Sequence, residues 1–216
     1  MYLQNNLIKV DNNILILGND FDIRKYLESL VLYPMFSKNN RNDEIYLFDL
    51  YNKMSDLTKY VDKYFTSFLE IGSMNEDIEK VLNELNDTHY PNIEKYNLNN
   101  QTKFNKKFIF INGLEKILSH TRITEKFEYL LRLSVQTGYY FIVTYSSNSI
   151  LSSNILSLFE YKIMLQYQNQ VAGELIPESY FKVINSNVEG FIKWRDLIIR
   201  ICLLKITEEE KKNMKI

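Results

Sequence analysis

Cysteine, proline, glycine and histidine are all scarce in this chain, and each scarcity closes off a class of protein. Among 216 residues there are one cysteine, three prolines, six glycines and two histidines. A single thiol forms no internal disulfide, so the fold rests on packing alone, and a reducing compartment is the expected setting. Cys202 falls within the apolar run "LIIRICLL", where burial as a small hydrophobe is expected. So little proline and glycine excludes collagen-like and linker-like segments. His89 and His120 have no Cys, His or acidic partner at ligand spacing, so no metal centre is expected. Nor is there a Ser in a G-x-S-x-G elbow, or a base beside Cys202 that would make it a nucleophile.

Long apolar runs are missing too. None approaches the roughly 18 residues that cross a bilayer, and no signal-peptide pattern opens the chain, so a soluble piece is expected. An excess of one charge is also lacking: 26 Lys and Arg face 27 Asp and Glu, for a net charge of -1. No global positive field would gather the phosphates of nucleic acid, and none is expected as a partner.

What is present is apolar content of 45%, with sixteen Tyr and thirteen Phe, enough for one sizeable core. Four runs are continuously apolar rather than alternating: "NILILG" (13–18), "IYLFDL" (45–50), "KFIFIN" (107–112) and "YYFIVTY" (139–145). That pattern predicts inner strands of a parallel sheet covered on both faces. Between them, helical spacing predicts helices over "DIRKYLESLVLYPMF" with Pro34 at its end, over 55–70, over 75–96, and over "ITEKFEYLLRLSVQTG" from a Thr cap to Gly138. Strands alternating with helices imply right-handed crossovers and three layers. Further on, "SSNSILSSNILSLF" predicts a short helix and "YKIMLQY" a fifth strand. "GFIKWRDLIIRICLL" fits an amphipathic helix or a hairpin turning at Arg195 and Asp196, and its β-branched content favours the hairpin. "NLNNQTKFNKK" (97–107) predicts a surface loop. One domain over 1–204 with a solvated tail, 205–216, is expected.

The stretch "ILILGNDFDIRKYL" has the form of a strand entering a phosphate-binding turn without the chemistry of one. A working loop reads GxxxxGK[ST], because amides and a lysine surround phosphate oxygens while a hydroxyl holds magnesium. Counting from Gly18, Ile23 stands at the second glycine, Arg24 at the lysine and Lys25 at the hydroxyl. Asp20 and Asp22 add repulsion, roughly 4 kcal/mol for a carboxylate about 4 Å from a phosphate at an effective dielectric of about 20. They fit better as acids capping the first turn of a helix than as a cation-binding pair. The partner half of such a site is an Asp-Glu pair ending another buried strand, and "FIFINGLEKI" has Asn112 and Gly113 there. Glu115 comes two residues late and reads as a solvated helix-start acid.

The order of these segments, with "TGYYFIVTYSSNSILSSNIL" and "GFIKWRDLIIRI", resembles the FtsK/SpoIIIE class of ring ATPases, in particular the terminal ATPase-like module of a type VII secretion motor, over about residues 12–203. The resemblance implies a RecA-like, P-loop-NTPase-like α/β three-layer sandwich with a mostly parallel sheet and a C-terminal β-hairpin. In it Gly18 matches the loop's first glycine, Arg24 and Lys25 its Lys-Ser/Thr, Asn112 and Gly113 its Asp-Glu, and Ser146 and Ser147 the Gln-Arg of a sensor-like "ATQR" segment. Every departure removes a polar group that handles nucleotide, so the resemblance implies a degenerate pocket with no catalytic residue, and no bound ATP or magnesium. It further implies docking of secreted substrates or their chaperones, contact with neighbouring ATPase modules of one polypeptide, and a place at the cytoplasmic face of a membrane reached only through the rest of a longer protein. The alternatives are an FtsK-like module gripping nucleic acid, or a domain holding nucleotide without turnover. Aromatic clusters at "KYVDKYFTSF" and "SYFKV", and Trp194 beside the hairpin turn, suit either core or an exposed groove.

Overall fold

All four continuous apolar runs become strands, buried over nearly their whole length because helices cover both faces of the sheet. The computed structural model describes residues 2–3, 8–36, 43–147, 149–165, 175–181, 189–202 and 209. A short pair, β1 (Tyr2–Leu3) with β2 (Ile8–Lys9), forms its own two-stranded sheet. The main sheet comprises β3 (Ile14–Leu17), β4 (Glu44–Asp49), β5 (Lys63–Phe65), β6 (Lys107–Asn112), β7 (Tyr139–Tyr145), β8 (Tyr161–Leu165), β9 (Glu189–Trp194) and β10 (Leu197–Cys202). Its order is β10-β9-β8-β3-β7-β6-β4-β5. From β8 to β5 every pairing is parallel, and the hairpin β9–β10 adds to β8 in antiparallel fashion.

Alternation along each strand divides the core in two. Leu15 and Leu17 of β3 face a layer holding α2 (Ser73–Asp87), α4 (Leu114–Leu118) and α5 (Thr121–Thr137). Ile14 and Ile16 face α1 (Asp20–Phe36) and a 3₁₀ turn, Ser55–Tyr60. The helix α5 stops at Gly138, whose φ of +78° and the Ile93 Cδ1 that would lie 2.1 Å from an added Cβ together require glycine. The hairpin alternative is the one adopted: Trp194 pairs with Leu197 and Arg195 takes φ +53° in the two-residue turn.

Several expectations are corrected. Residues 55–70 form no helix; they make the 3₁₀ turn, β5 and a second 3₁₀ turn from Phe68. Their aromatics drive the difference, since Tyr64 and Phe65 alternate onto opposite cores of the sheet edge. The 75–96 segment breaks after Asp87, where His89 adopts φ +59°, and resumes as α3 (Ile93–Asn99), which takes the start of the expected surface loop. The α1 helix runs two residues past Pro34. The Thr cap is displaced: α5 begins at Thr121 behind His120, and the Thr124 hydroxyl donates to carbonyls of Ile117 and His120 instead. Cys202 is exposed, because β10 is the outermost strand and its even-numbered residues face away from α1. Trp194 forms a corner of the core, packed 6.0 Å from the Tyr161 ring, with its indole N–H donated to Glu160. Apart from residue 209, the tail after Cys202 lies outside the described residues, as do Lys182 and Val183 of "SYFKV". No helix among the described residues is long and apolar enough to cross a membrane.

One buried side chain ties the layers at the N-terminal end of β3. Asn13 donates to the carbonyls of Leu131 (3.0 Å) and Leu158 (3.3 Å) and accepts from the Phe141 amide and the Ser134 hydroxyl (both 3.1 Å). Asn13→Leu removes four hydrogen bonds, although the Ser134 hydroxyl still donates to the Leu131 carbonyl (2.8 Å), and is expected to cost about 3 kcal/mol, read as a lower urea midpoint at unchanged slope.

Candidate functional site

In a parallel α/β sheet the place for a ligand is the carboxyl end of the strands, where helix N-termini converge. At the end of β3 the connection to α1 is only Gly18 and Asn19. Asn19 caps the helix: its Oδ1 accepts from the Asp22 amide (2.9 Å) and its Nδ2 donates to Asp22 Oδ2 (2.6 Å). Asp22 is thereby held in a capping pair, while the Asp20 side chain lies outside the described residues. Gly18 is needed for contact, since a Cβ there would lie 2.8 Å from Ile23 Cγ2 and 3.1 Å from Leu165 Cβ. Ile23, buried at 1% exposure, belongs to the α1-side core and fills the space over Gly18.

Arg24 and Lys25 follow in the first two turns of α1. Their cationic groups stand 5.8 and 4.4 Å from the ring of Phe21, and both line a cavity of about 310 Å³ shared with the residues following β4.

The ends of β4, β6 and β7 are joined by a buried polar network. Asn112 is fully buried; its Nδ2 donates to Asp49 Oδ1 (3.2 Å) and its Oδ1 accepts from the Thr144 hydroxyl (3.3 Å). Gly113 has φ +113°, donates its amide to Thr144 Oγ1, and lies under the Tyr51 ring, 2.7 Å from where a Cβ would be. Glu115 is not the solvated acid that was expected: Tyr51 and Ser146 both donate to its Oε1, at 2.5 and 2.6 Å, and its Oε2 is buried without a partner. The sequence reading missed Asp49, a fully buried acid bonded by the Met54 amide, the Tyr64 hydroxyl and Asn112. Its signal was available, an Asp closing the apolar run "IYLFDL". No three acidic, His or Cys groups converge to hold a metal among the described residues.

No protein-family model matches the chain, and no curated protein does. Solved structures do. The coupling protein TcpA of the conjugative plasmid pCW3, solved with ATPγS, superposes with a TM-score of 0.80 at 14% identity over 94% of this chain. EssC ATPases 2 and 3 from Geobacillus thermodenitrificans match at 0.75, with 16% identity over 95%. The cytoplasmic domain of the type VII secretion ATPase EccC from Thermomonospora curvata matches at 0.72, with 13% identity over 92%. The chain has the RecA-like fold of P-loop ATPases. It spans 63%, 43% and 26% of those three chains.

Burial, and next its hydrogen bond to Asp49, push the Tyr64 phenol well above its usual range. The folded state therefore keeps a proton that an unfolded tyrosine loses near pH 10, so this contribution is complete below about pH 10 and declines above it. The urea midpoint is expected to fall as pH rises above about 10, and less steeply in Tyr64→Phe. Asp49→Ala, which orphans three donors, is expected to cost roughly 3 kcal/mol at neutral pH in the same assay.

Proposed function

We propose that this chain is an ATPase-shaped module of a type VII secretion motor that docks exported proteins or their chaperones and does not hydrolyse ATP. The observation that carries the loss of turnover is the packing of Ile23 over Gly18, with α1 capped two residues after β3. Phosphate recognition needs a row of free loop amides at this point, and here the turn is replaced by helix and side chain. At the opposite position Tyr51 covers Gly113, and the one nearby acid with an unbonded oxygen, Glu115, is held by two hydroxyls.

The docking half draws on the likeness to EssC and EccC, the latter also matched as ATPases 2 and 3 in complex with a signal sequence peptide, at 12% identity and a TM-score of 0.70. A fold freed from turnover keeps its surface for recognition. Because the chain spans less than half of those proteins, the neighbouring ATPase modules and the attachment to the cytoplasmic face of a membrane belong, in this proposal, to the rest of a longer polypeptide.

Calorimetry with ATP and Mg²⁺ tests the first half: no binding tighter than about 10 µM is expected, and such binding refutes it. Capture of type VII substrates or chaperones of the same strain tests the second, and failure to retain any of them refutes docking. A second reading, a nucleic-acid translocase module, is favoured by the superposition on a conjugation coupling protein. It predicts a gel shift at low salt that weakens steeply as salt rises; a net charge of -1 speaks against it.

A further inference from the structure

The first two turns of α1 present a surface that the degenerate pocket does not use. Phe21 stands 53% exposed, flanked by the guanidinium of Arg24 and the ammonium of Lys25. Neither cation forms an ion pair among the described residues. Both open onto the cavity of about 310 Å³, whose wall also holds Lys53, Glu28 and Asp56 over a floor of buried Met54 and Leu57. That volume is at the small end of ligand pockets and accommodates one or two side chains.

The mixture of charges discriminates between ligands. A polyphosphate or a nucleic-acid strand concentrates closely spaced negative charges, some of which must face Glu28 or Asp56, whereas the carboxylates of a peptide are spaced along the chain and can be placed against the cations alone. A peptide brings both kinds of group. Its carboxylates meet Arg24 and Lys25, its backbone N–H groups meet the two acids, and its apolar stems cover Phe21. The stacked cations lose little freedom on binding because the ring already holds them.

We infer that this cleft between α1 and the 3₁₀ turn after β4 receives an acidic, partly apolar segment of a protein partner. The inference rests on the docking function proposed above and places it.

The test uses the whole chain against arrays of short synthetic peptides of acidic, neutral or basic composition, matched in apolar content. Acidic peptides are expected to be retained, and the double variant Arg24→Glu/Lys25→Glu to lose them by roughly tenfold or more. Phe21→Ala is expected to weaken them as well, while Arg132→Glu on the exposed side of α5 leaves them unchanged. Thermal melting of each variant checks that it folds. Retention without acidic preference, no retention, equal retention by the double variant, or displacement of bound peptide by pyrophosphate overturns the assignment. Capture of a type VII substrate equally by wild type and double variant overturns this surface and leaves docking standing. Acidic peptide binding that depends on Arg24 and Lys25, with no type VII partner captured, supports the surface and removes the export role.

Discussion

Burial of β3, β7 and β6 on both faces obliges the polar groups at their ends to find partners inside the protein, because no water reaches them there. At one end Asn13 meets much of this demand, bonding to α5, to β7 and to the chain entering β8, with the buried Ser134 hydroxyl beside it. At the other end the work is shared among Asp49, Asn112, Thr144 and Tyr64 across β4, β6 and β7. This chain closes that end from within, using an amide, two hydroxyls and one acid whose oxygens are bonded by protein donors.

The ends of β3 and β6 share one physical form. A glycine is retained, and a large neighbour lies against the face where a side chain would project: Ile23 and Leu165 over Gly18, Tyr51 over Gly113. A side chain introduced at either glycine would require a packed neighbour to move. With its cap at Asn19, α1 turns Phe21, Arg24 and Lys25 outward along the edge of the cavity, where they lie beside the residues after β4.

Much of the architecture was legible along the chain. Fully buried parallel strands need apolar residues at every position, so "KFIFIN" and "YYFIVTY" delimit β6 and β7 to the residue, and the two-residue Arg195-Asp196 turn marks the hairpin. The helical reading of 55–70 failed because aromatics spaced three and four apart also suit a sheet edge that buries alternate rings in two cores. Thr124 misled for a related reason, since a hydroxyl that caps one helix serves equally to bond the end of the preceding one.

Residue types and their order by themselves determined the strand–helix alternation, the impossibility of an internal disulfide with one cysteine, and which side chains follow β3 and β6. They did so because these follow from local periodicity and from the identity of side chains at fixed spacing. Only the tertiary structure decided that Asp49 and Glu115 are held by protein donors, that Ile23 and Tyr51 fill the two glycine faces, and that Arg24 and Lys25 turn towards a separate cavity. Those outcomes depend on which strands lie side by side, and contacts between residues more than sixty positions apart, such as Asn112 with Asp49, leave no local pattern to read.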